Sequence, residues 1–337
     1  MEEGTPPIIF YEVADWERAL LPARVNGRPA ELVPRILTLA DGVVPAAEVI
    51  SVFIRSRVTR AVLERMPRLR FIATRSTGYD HIDLAACQER DIKVANVPYY
   101  GENTVAEHTF ALILTLSRNI QKTYTRMLAH EFSLEGLQGF DLKGKTIGVV
   151  GAGHIGLHVI RIAKGFGMEV LVHDRDPSRL MSEVLDFRYA DLEELLRRAD
   201  IVTLHVPYTA ATHHLVNRER LQQMKPGALL VNAARGALVD TAALIWALNE
   251  GILGGAGLDV LEGEELVEDE RHLLTDAASE EQLRMLLRHH LLVRRDNVVV
   301  TPHIGFYSKE AMQRITQTTL ENINAYLQGQ PKNLVPH

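Results

Sequence analysis

Short apolar runs alternate with stretches of helical periodicity along most of the chain. In the first hundred residues, apolar runs at 8–13, 49–54, 69–74 and 93–97 predict strands, and 58–66 and 83–90 between them carry helical spacing. The alternation sharpens after residue 145, with runs at 146–150, 169–173, 201–205, 228–232, 255–259 and 297–301. Most of these runs are apolar on both faces, as a strand must be when helices cover both sides of its sheet. Strands and helices in this order predict an α/β, doubly wound fold with parallel sheets. Segment 103–120 places Val105, Ala106, Phe110, Ile113, Leu114 and Ser117 for one buried face and predicts a single helix linking two domains. The charged stretch 262–295 predicts a helical excursion, and 309–328 a terminal amphipathic helix stopped by Gly329 and Pro331.

Length and composition narrow this further. At about 150 residues per domain, 337 residues predict two domains. Hydrophobic residues at 46% and charged residues at 24% describe an ordinary globular chain rather than a disordered one. Thirty-seven basic against 43 acidic residues leave a net charge of -6, which argues against a nucleic-acid partner or a polybasic membrane contact. One cysteine, Cys87, excludes an intrachain disulfide and fits a reducing compartment. The opening MEEGTPP carries acids where a secretory signal carries bases, and the most apolar stretch, 110–116, is far shorter than the ~20 residues of a membrane span. A cytoplasmic protein is expected.

The run TIGVV leads straight into Gly151-Ala-Gly153-His154-Ile155-Gly156, and a helical pattern follows. Glycines cluster in many turns, so the motif alone is weak; a strand before it and a helix after it supply the context of a dinucleotide site. Gly151 permits the tight turn, Gly153 lets a pyrophosphate approach the backbone, and Gly156 lets helix pack on strand. The helix N-terminus offers free N–H groups and partial positive charge to the phosphates. The next run ends at Asp174, 18 residues after Gly156, where a carboxylate accepts from ribose hydroxyls and repels a 2′-phosphate. NAD is therefore expected over NADP, although Arg175 beside it is a residue that suits a 2′-phosphate.

Three later runs end on polar residues: ALLVNAA on Arg235, GAGLDV on Asp259 with Glu264 shortly after, and NVVVTP on His303. Ligands of open α/β sheets bind outside the carboxyl ends of strands. An arginine there can grip a carboxylate in a bidentate fork. A histidine can protonate an alkoxide as it forms, or deprotonate the alcohol in reverse, and a nearby carboxylate favours its charged form. The set suits hydride transfer to a carbonyl; spacing alone does not show that the three meet. The pairs His213-His214 and His289-His290 point in divergent directions and do not predict a metal site.

These segments resemble the D-isomer-specific 2-hydroxyacid dehydrogenases, and most of all their D-lactate dehydrogenase branch. The likeness runs through RSTGYDHIDL (75–84), NVPYYGENTVAEH (96–108), GAGHIG (151–156), HVPYT (205–209), NAARGALVD (232–240), GLDVLEGE (257–264) and TPHIG (301–305). As in that branch, a charged stretch follows Glu264, with some 38 residues before His303. The resemblance implies two Rossmann-like or flavodoxin-like domains. One is discontinuous, residues 1–101 plus 304–337, and handles substrate; the other, 102–303, binds NAD. Closure about hinges between them would expel water. It implies reduction of a 2-keto acid to the D-2-hydroxy acid, pyruvate to D-lactate first, in a homodimer. Arg235 would bind the substrate carboxylate, His303 would be the acid/base and Glu264 its partner. Thr77, Gly78 and Tyr79 would present backbone N–H groups to the substrate, and Tyr100 and Phe306 would wall its pocket. Gly151, Gly153, His154, Ile155, Gly156, Asp174, Val206, Pro207, Thr212, Ala233, Ala234, Arg235 and Asp259 would contact NAD, Asp259 near the carboxamide. Lactate-type members often carry an aromatic residue where this chain has Arg55, which in the pocket would admit a second carboxylate. Two alternatives stand beside this: a relative acting on phosphoglycerate, glyoxylate, hydroxypyruvate or a branched keto acid, or an NAD-sensing binding protein like the corepressors of the superfamily.

Overall fold

The computed structural model describes residues 7–264 and 279–336. The part of the charged stretch at 265–278, expected to be helical, lies outside the described residues. The chain forms two compact units, Met1–Tyr100 with Ser308–His337, and Gly101–Tyr307.

The first unit holds strands β1 (Ile8–Phe10), β2 (Arg24–Val25), β3 (Arg28–Leu32), β4 (Val49–Val52), β5 (Phe71–Thr74) and β6 (Lys93–Ala95). They form one sheet in the order β2-β3-β1-β4-β5-β6, parallel except for the β2–β3 hairpin. Successive residues face opposite sides of the pleat. Ile9, Ile50, Ile72 and Val94 pack on one face with Val62 and Leu63 of α1 (Arg60–Glu64) and Cys87 of α2 (Leu84–Glu89). Ile8, Phe10, Val49 and Phe71 pack on the other with Ile323 of the terminal helix Lys309–Leu327. The Thr59 hydroxyl and the Asp83 carboxylate cap α1 and α2 by accepting from the third residue on. β1 stops at Phe10 rather than at residue 13 because Glu12 sits at φ 56, outside extended backbone. Strand order reverses between β1 and β4, so their carboxyl ends flank a switch point.

The second unit begins with α3 (Glu102–Ser117) and α4 (Ile120–Leu128). The single helix expected over 103–120 is two: Asn119 adopts φ 52, which ends the first and starts the second. Seven parallel strands follow: β7 (Thr146–Val150), β8 (Glu169–His173), β9 (Arg188–Tyr189), β10 (Ile201–Leu204), β11 (Ala228–Asn232), β12 (Leu253–Leu258) and β13 (Val298–Val300), ordered β13-β12-β11-β10-β7-β8-β9. Between them run α5 (His154–Gly165), α6 (Arg179–Leu185), α7 (Leu192–Arg198), α8 (Arg218–Leu221), α9 (Thr241–Asn249) and α10 (Glu280–Val293); the terminal helix is α11. One face buries Ile147 and Val149 against Phe110 and Ile113 of α3 and Val159 and Ile160 of α5. The other buries Val150, Val202 and Leu230 against Leu195, Leu196 and Leu244. Each fully buried aliphatic side chain of this kind stabilises by about 1.5–3 kcal/mol. The switch point lies between β7 and β10, whose last residues, Val150 and Leu204, are paired. No helix among the described residues is long and apolar enough to cross a membrane.

Candidate active site

The carboxyl ends of the second sheet collect nearly every residue singled out for cofactor and chemistry. Gly151, at φ 99, leaves β7 where a Cβ would lie 2.5 Å from the His205 carbonyl oxygen, so only glycine fits between the two strand ends. A Cβ on Gly156 would lie 2.0 Å from the Gly151 oxygen, and that close approach seats α5 on the loop. Gly153 is the opposite case: a Cβ there would meet nothing within 4 Å. It is the N-cap of α5, with no side chain capping the helix, and His154 and Ile155 form the first turn. Asp174 follows β8; its Oδ2 accepts from Ala152 N at 2.6 Å and its Oδ1 from Asp176 N at 2.8 Å. The acid thus steadies the glycine loop. Exposed Arg175 makes no hydrogen bond or ion pair with another described residue. Val206 and Pro207 follow β10, and the Thr212 hydroxyl donates to the Pro207 carbonyl at 2.8 Å, folding that loop on itself. Ala233, Ala234 and Arg235 follow β11. Half-buried Arg235 donates to the Ala234 carbonyl at 2.7 Å, and Asn232 Nδ2 donates to the Arg235 carbonyl at 2.8 Å.

The last two strands bring the acid–base candidates together. Glu264 Oε1 lies 2.9 Å from His303 Nδ1. A carboxylate only accepts, so the proton sits on Nδ1. Nε2 has no hydrogen-bond partner among the described residues and carries the lone pair or proton for another molecule. His303 occupies φ 53, a conformation a non-glycine residue resists. Phe306 meets its ring edge to face, centroids 6.2 Å apart.

Asp259 explains how that conformation is held. The residue is 2% exposed. Its Oδ1 accepts from Thr301 Oγ1 at 2.6 Å and Ile304 N at 2.9 Å, with His108 Nε2 3.2 Å away; its Oδ2 accepts from Gly305 N at 2.8 Å. The Asp259 carbonyl accepts from His303 N at 2.8 Å. Burial pushes this carboxyl up, but the bonds from His108, Thr301 and Gly305 outweigh burial and hold it below the usual carboxylate range. Both oxygens are spent on the loop that carries His303, a role the sequence did not suggest.

Thr77, Gly78, Tyr79 and Tyr100 belong to the first unit. After β5 the chain turns so that the N–H groups of residues 77–79 donate to no acceptor among the described residues. The turn is held by Ser76 Oγ donating to the Gly78 carbonyl at 2.6 Å and Thr77 Oγ1 to the Val97 carbonyl at 2.8 Å. The half-buried Tyr100 accepts at its carbonyl from Arg314 Nε at 2.6 Å. Exposed Arg55 lies in loop 53–56 after β4. There Glu12 Oε1 accepts from Phe53 N at 3.1 Å and Ser56 N at 2.8 Å, and Oε2 from Arg55 N at 3.1 Å.

The model of the D-isomer specific 2-hydroxyacid dehydrogenase NAD binding domain matches residues 110–305. This chain belongs to the D-isomer-specific 2-hydroxyacid dehydrogenase family. It is 39% identical to D-lactate dehydrogenase of Escherichia coli over 86% of each chain. It is also 39% identical to glyoxylate reductase of Pyrococcus furiosus, over 83% of this chain and 79% of that one. Its structure is similar to that of D-lactate dehydrogenase from Aquifex aeolicus complexed with NAD and lactic acid, with a TM-score of 0.85 and 36% identity, over 98% of this chain and all of that one. As a member of this dehydrogenase family the protein uses NAD and acts on a small 2-hydroxy or 2-keto acid. The open side of Gly153 and the uncapped start of α5 fit a pyrophosphate, and Asp174 fits a ribose without a 2′-phosphate.

Further functional contacts escaped the sequence reading. His108 and Thr301 belong to quoted motifs, yet nothing in their spacing shows that both reach Asp259. Glu12 was read inside a strand. The His213 and His214 rings stack at 3.9 Å, and among the described residues no group of three or more His, Cys, Asp or Glu side chains could hold a metal ion.

Proposed function

We propose that this dehydrogenase reduces a 2-keto acid to the D-2-hydroxy acid, with pyruvate and D-lactate as the leading pair. The observation that carries the reading is the His303–Glu264 hydrogen bond at the carboxyl end of a dinucleotide-binding sheet. Bound NADH supplies the hydride for the keto carbon. The chain's own part is to bind, orient and move a proton. In the second unit the guanidinium of Arg235 holds the substrate carboxylate and polarises the keto oxygen. His303 Nε2 hands its proton to that oxygen, while Glu264 on Nδ1 fixes the ring and stabilises its charged form. Gly151, Gly153, His154, Ile155, Gly156, Asp174, Val206, Pro207, Thr212, Ala233, Ala234 and Asp259 form the cofactor side, and Phe306 packs at the His303 ring. In the first unit the N–H groups of Thr77, Gly78 and Tyr79 are donors for a carboxylate, and Tyr100 is a pocket wall. In this reading residues 1–101 with 304–337 handle substrate and residues 102–303 bind NAD.

The subunit is a homodimer in this proposal. Exposed Ile120, Tyr124, Met127, Leu128, Phe132 and Leu134 cluster on α4 and the chain just after it, an apolar face of the kind a second copy covers. The cell location is cytoplasmic, where a lone buried thiol stays reduced.

NADH oxidation against a panel of 2-keto acids, with chiral analysis of the product, tests the function. D-lactate from pyruvate is the expected product, and preference for glyoxylate would move the assignment to that relative's chemistry. Consumption of none would favour a binding protein. His303→Ala should lower kcat by about 10²–10⁴-fold, the usual worth of a general acid, while NADH still binds; unchanged turnover removes His303 from the chemistry.

A further inference from the structure

Glu262 stands two residues before Glu264 and has contacts that the reaction above does not use. Its Oε1 lies 2.6 Å from His214 Nε2. Its Oε2 accepts from Thr241 Oγ1 at 2.8 Å and from Thr241 N at 3.3 Å, at the start of α9. Its carbonyl oxygen accepts from His289 Nε2 at 2.8 Å, on α10. A carbonyl only accepts, so His289 carries its proton on Nε2. His289 is 2% exposed, and burial pushes its pKa down, which keeps the ring neutral for that role. Three separate elements therefore grip one residue. A fourth presses on the same peptide: a Cβ on Gly236, next to Arg235, would lie 2.1 Å from the Leu261 carbonyl carbon and 2.4 Å from Glu262 N.

This grip bears on the acid–base pair through a short, closed turn. Glu264 N donates to the Leu261 carbonyl at 3.2 Å, and Leu261 N to Glu264 Oε2 at 3.3 Å. Gly263, at φ 66, lets the backbone reverse between the two glutamates. Among the described residues Glu264 makes hydrogen bonds only within that turn and to His303, its charge is also felt by His289, and its side chain is 38% exposed. A turn of four residues with a half-exposed carboxylate at its end keeps its place only if its start is anchored, and the anchor is Glu262.

We propose that Glu262 and His289 are positioning residues for the proton-transfer step: together they clamp the 261–264 turn so that Glu264 meets His303 Nδ1. The proposal rests on the reading of Glu264 and His303 as the acid–base pair. The clamp acts through backbone, from α10 to the Glu262 carbonyl, and through side chain, from His214 and Thr241 to its carboxylate. Neither residue touches the reacting atoms.

The test uses the full chain with 15N-labelled histidine and follows the His303 Nδ1–H resonance, assigned by its loss in His303→Ala. Removing the carboxylate in Glu264→Ala should move that resonance. His289→Leu, which fills the same core without a donor, should move it the same way. It should also lower kcat for keto-acid reduction about tenfold, the scale of a sub-ångström misplacement, with NADH affinity by fluorescence titration kept within about twofold. His289→Gln, whose amide can donate to the Glu262 carbonyl, should restore both. The double variant His289→Leu/Glu264→Ala should be no slower than Glu264→Ala alone, because both act through one contact. Glu262→Gln keeps the volume and weakens the carboxylate side of the clamp; it should shift the resonance in the same direction, and it decides the matter if His289→Leu does not fold. An unmoved His303 resonance in His289→Leu and Glu262→Gln overturns the clamp, as does equal loss in His289→Leu and His289→Gln, which would make His289 plain core. The resonance needs no turnover, so a wild-type protein inactive on every keto acid would defeat the functional reading and leave the clamp to be decided by the spectrum.

Discussion

Replacing Asp259 by asparagine should disable the loop that carries His303. The carboxylate accepts from Thr301 Oγ1, Ile304 N and Gly305 N and has His108 Nε2 at 3.2 Å. An amide keeps one oxygen and turns the other into a donor. If the oxygen stays with Thr301 and Ile304, the NH2 group faces the Gly305 N–H, donor against donor, in a buried place. One stranded buried donor costs about 1–3 kcal/mol, and the remaining bonds drop from charge-assisted to neutral strength. The sum is about 3 kcal/mol. His303 at φ 53 needs that hold, since a left-handed non-glycine residue is worth about 1–2 kcal/mol of strain. A released loop moves the imidazole by the order of an ångström, and kcat/KM for keto-acid reduction should fall about 10²-fold. Urea unfolding gives the stability side. Of the two tryptophans, Trp246 lies on α9 of the second unit, so its fluorescence in a Trp16→Phe background reports that unit. The pH dependence has a definite sign. The folded carboxyl titrates below its unfolded value of about 3.9, so the stabilisation is fully present above that value and is lost as pH falls through the lower folded value. The gap between wild type and Asp259→Asn should close in acid, as pH falls below the unfolded carboxyl value and through the lower folded one. A variant that unfolds within about 0.5 kcal/mol of wild type and keeps its kcat/KM refutes the reasoning.

Other measurements reach other parts of the molecule. Asp174→Ala removes the acceptor proposed for the ribose while Arg175 remains, so kcat/KM with NADH should fall about tenfold and NADPH should gain; an unchanged NADH-to-NADPH ratio contradicts this account of the acid. Leu128→Asp, at a side chain with 67% exposure, should turn the proposed homodimer to monomer in sedimentation at a stability cost within about 0.5 kcal/mol; a wild type already monomeric at micromolar concentration sinks the dimer. Burial pushes the Cys87 thiol up to about 11, so thiol reagents at neutral pH should label it only after denaturation, and prompt labelling of the native protein would contradict its burial.

Much of the fold can be read in the hydrophobic pattern, for a physical reason. Strands buried on both faces need apolar side chains on both sides of the pleat, and 146–150, 169–173 and 228–232 are runs apolar through their centres that form β7, β8 and β11 over those residues. Edge strands escape the same logic. Edge strands β2 and β9, and β3 beside β2, carry Arg24, Arg188, Arg28 and Glu31 because one side of each is wet, and they look like loop. Helix ends set by a single left-handed residue, such as Asn119, also lie below the resolution of periodicity. In the site, strand ends mark which residues stand at the right edge of the sheet. Which of them touch is a tertiary matter. Nothing along the 38 residues between Glu264 and His303 encodes a 2.9 Å contact, and Asp259 reads as one more polar strand end until its partners are seen.

The division of the chain bears on why kinship settles chemistry before substrate. The family match covers 110–305, which contains the glycine loop, Asp174, Arg235, Asp259, Glu264 and His303. Arg55, Thr77, Gly78, Tyr79 and Tyr100 lie outside it. A lactate enzyme and a glyoxylate enzyme are equally identical to this chain, at 39%, so overall similarity does not choose between their substrates. The local physics explains how the choice can vary at low cost. Glu12 grips loop 53–56 through the backbone N–H groups of Phe53, Arg55 and Ser56, a grip indifferent to side chain. The side chain at 55 can therefore change without removing these three hydrogen bonds. Residues 301–305 have less freedom: the Asp259 carboxylate holds the Thr301 hydroxyl as well as the backbone N–H groups of Ile304 and Gly305, so a side chain of the loop is part of the grip. On this argument substitutions that change substrate should accumulate at loops gripped through their backbone N–H groups, and Arg55 is the first position in this chain at which to look.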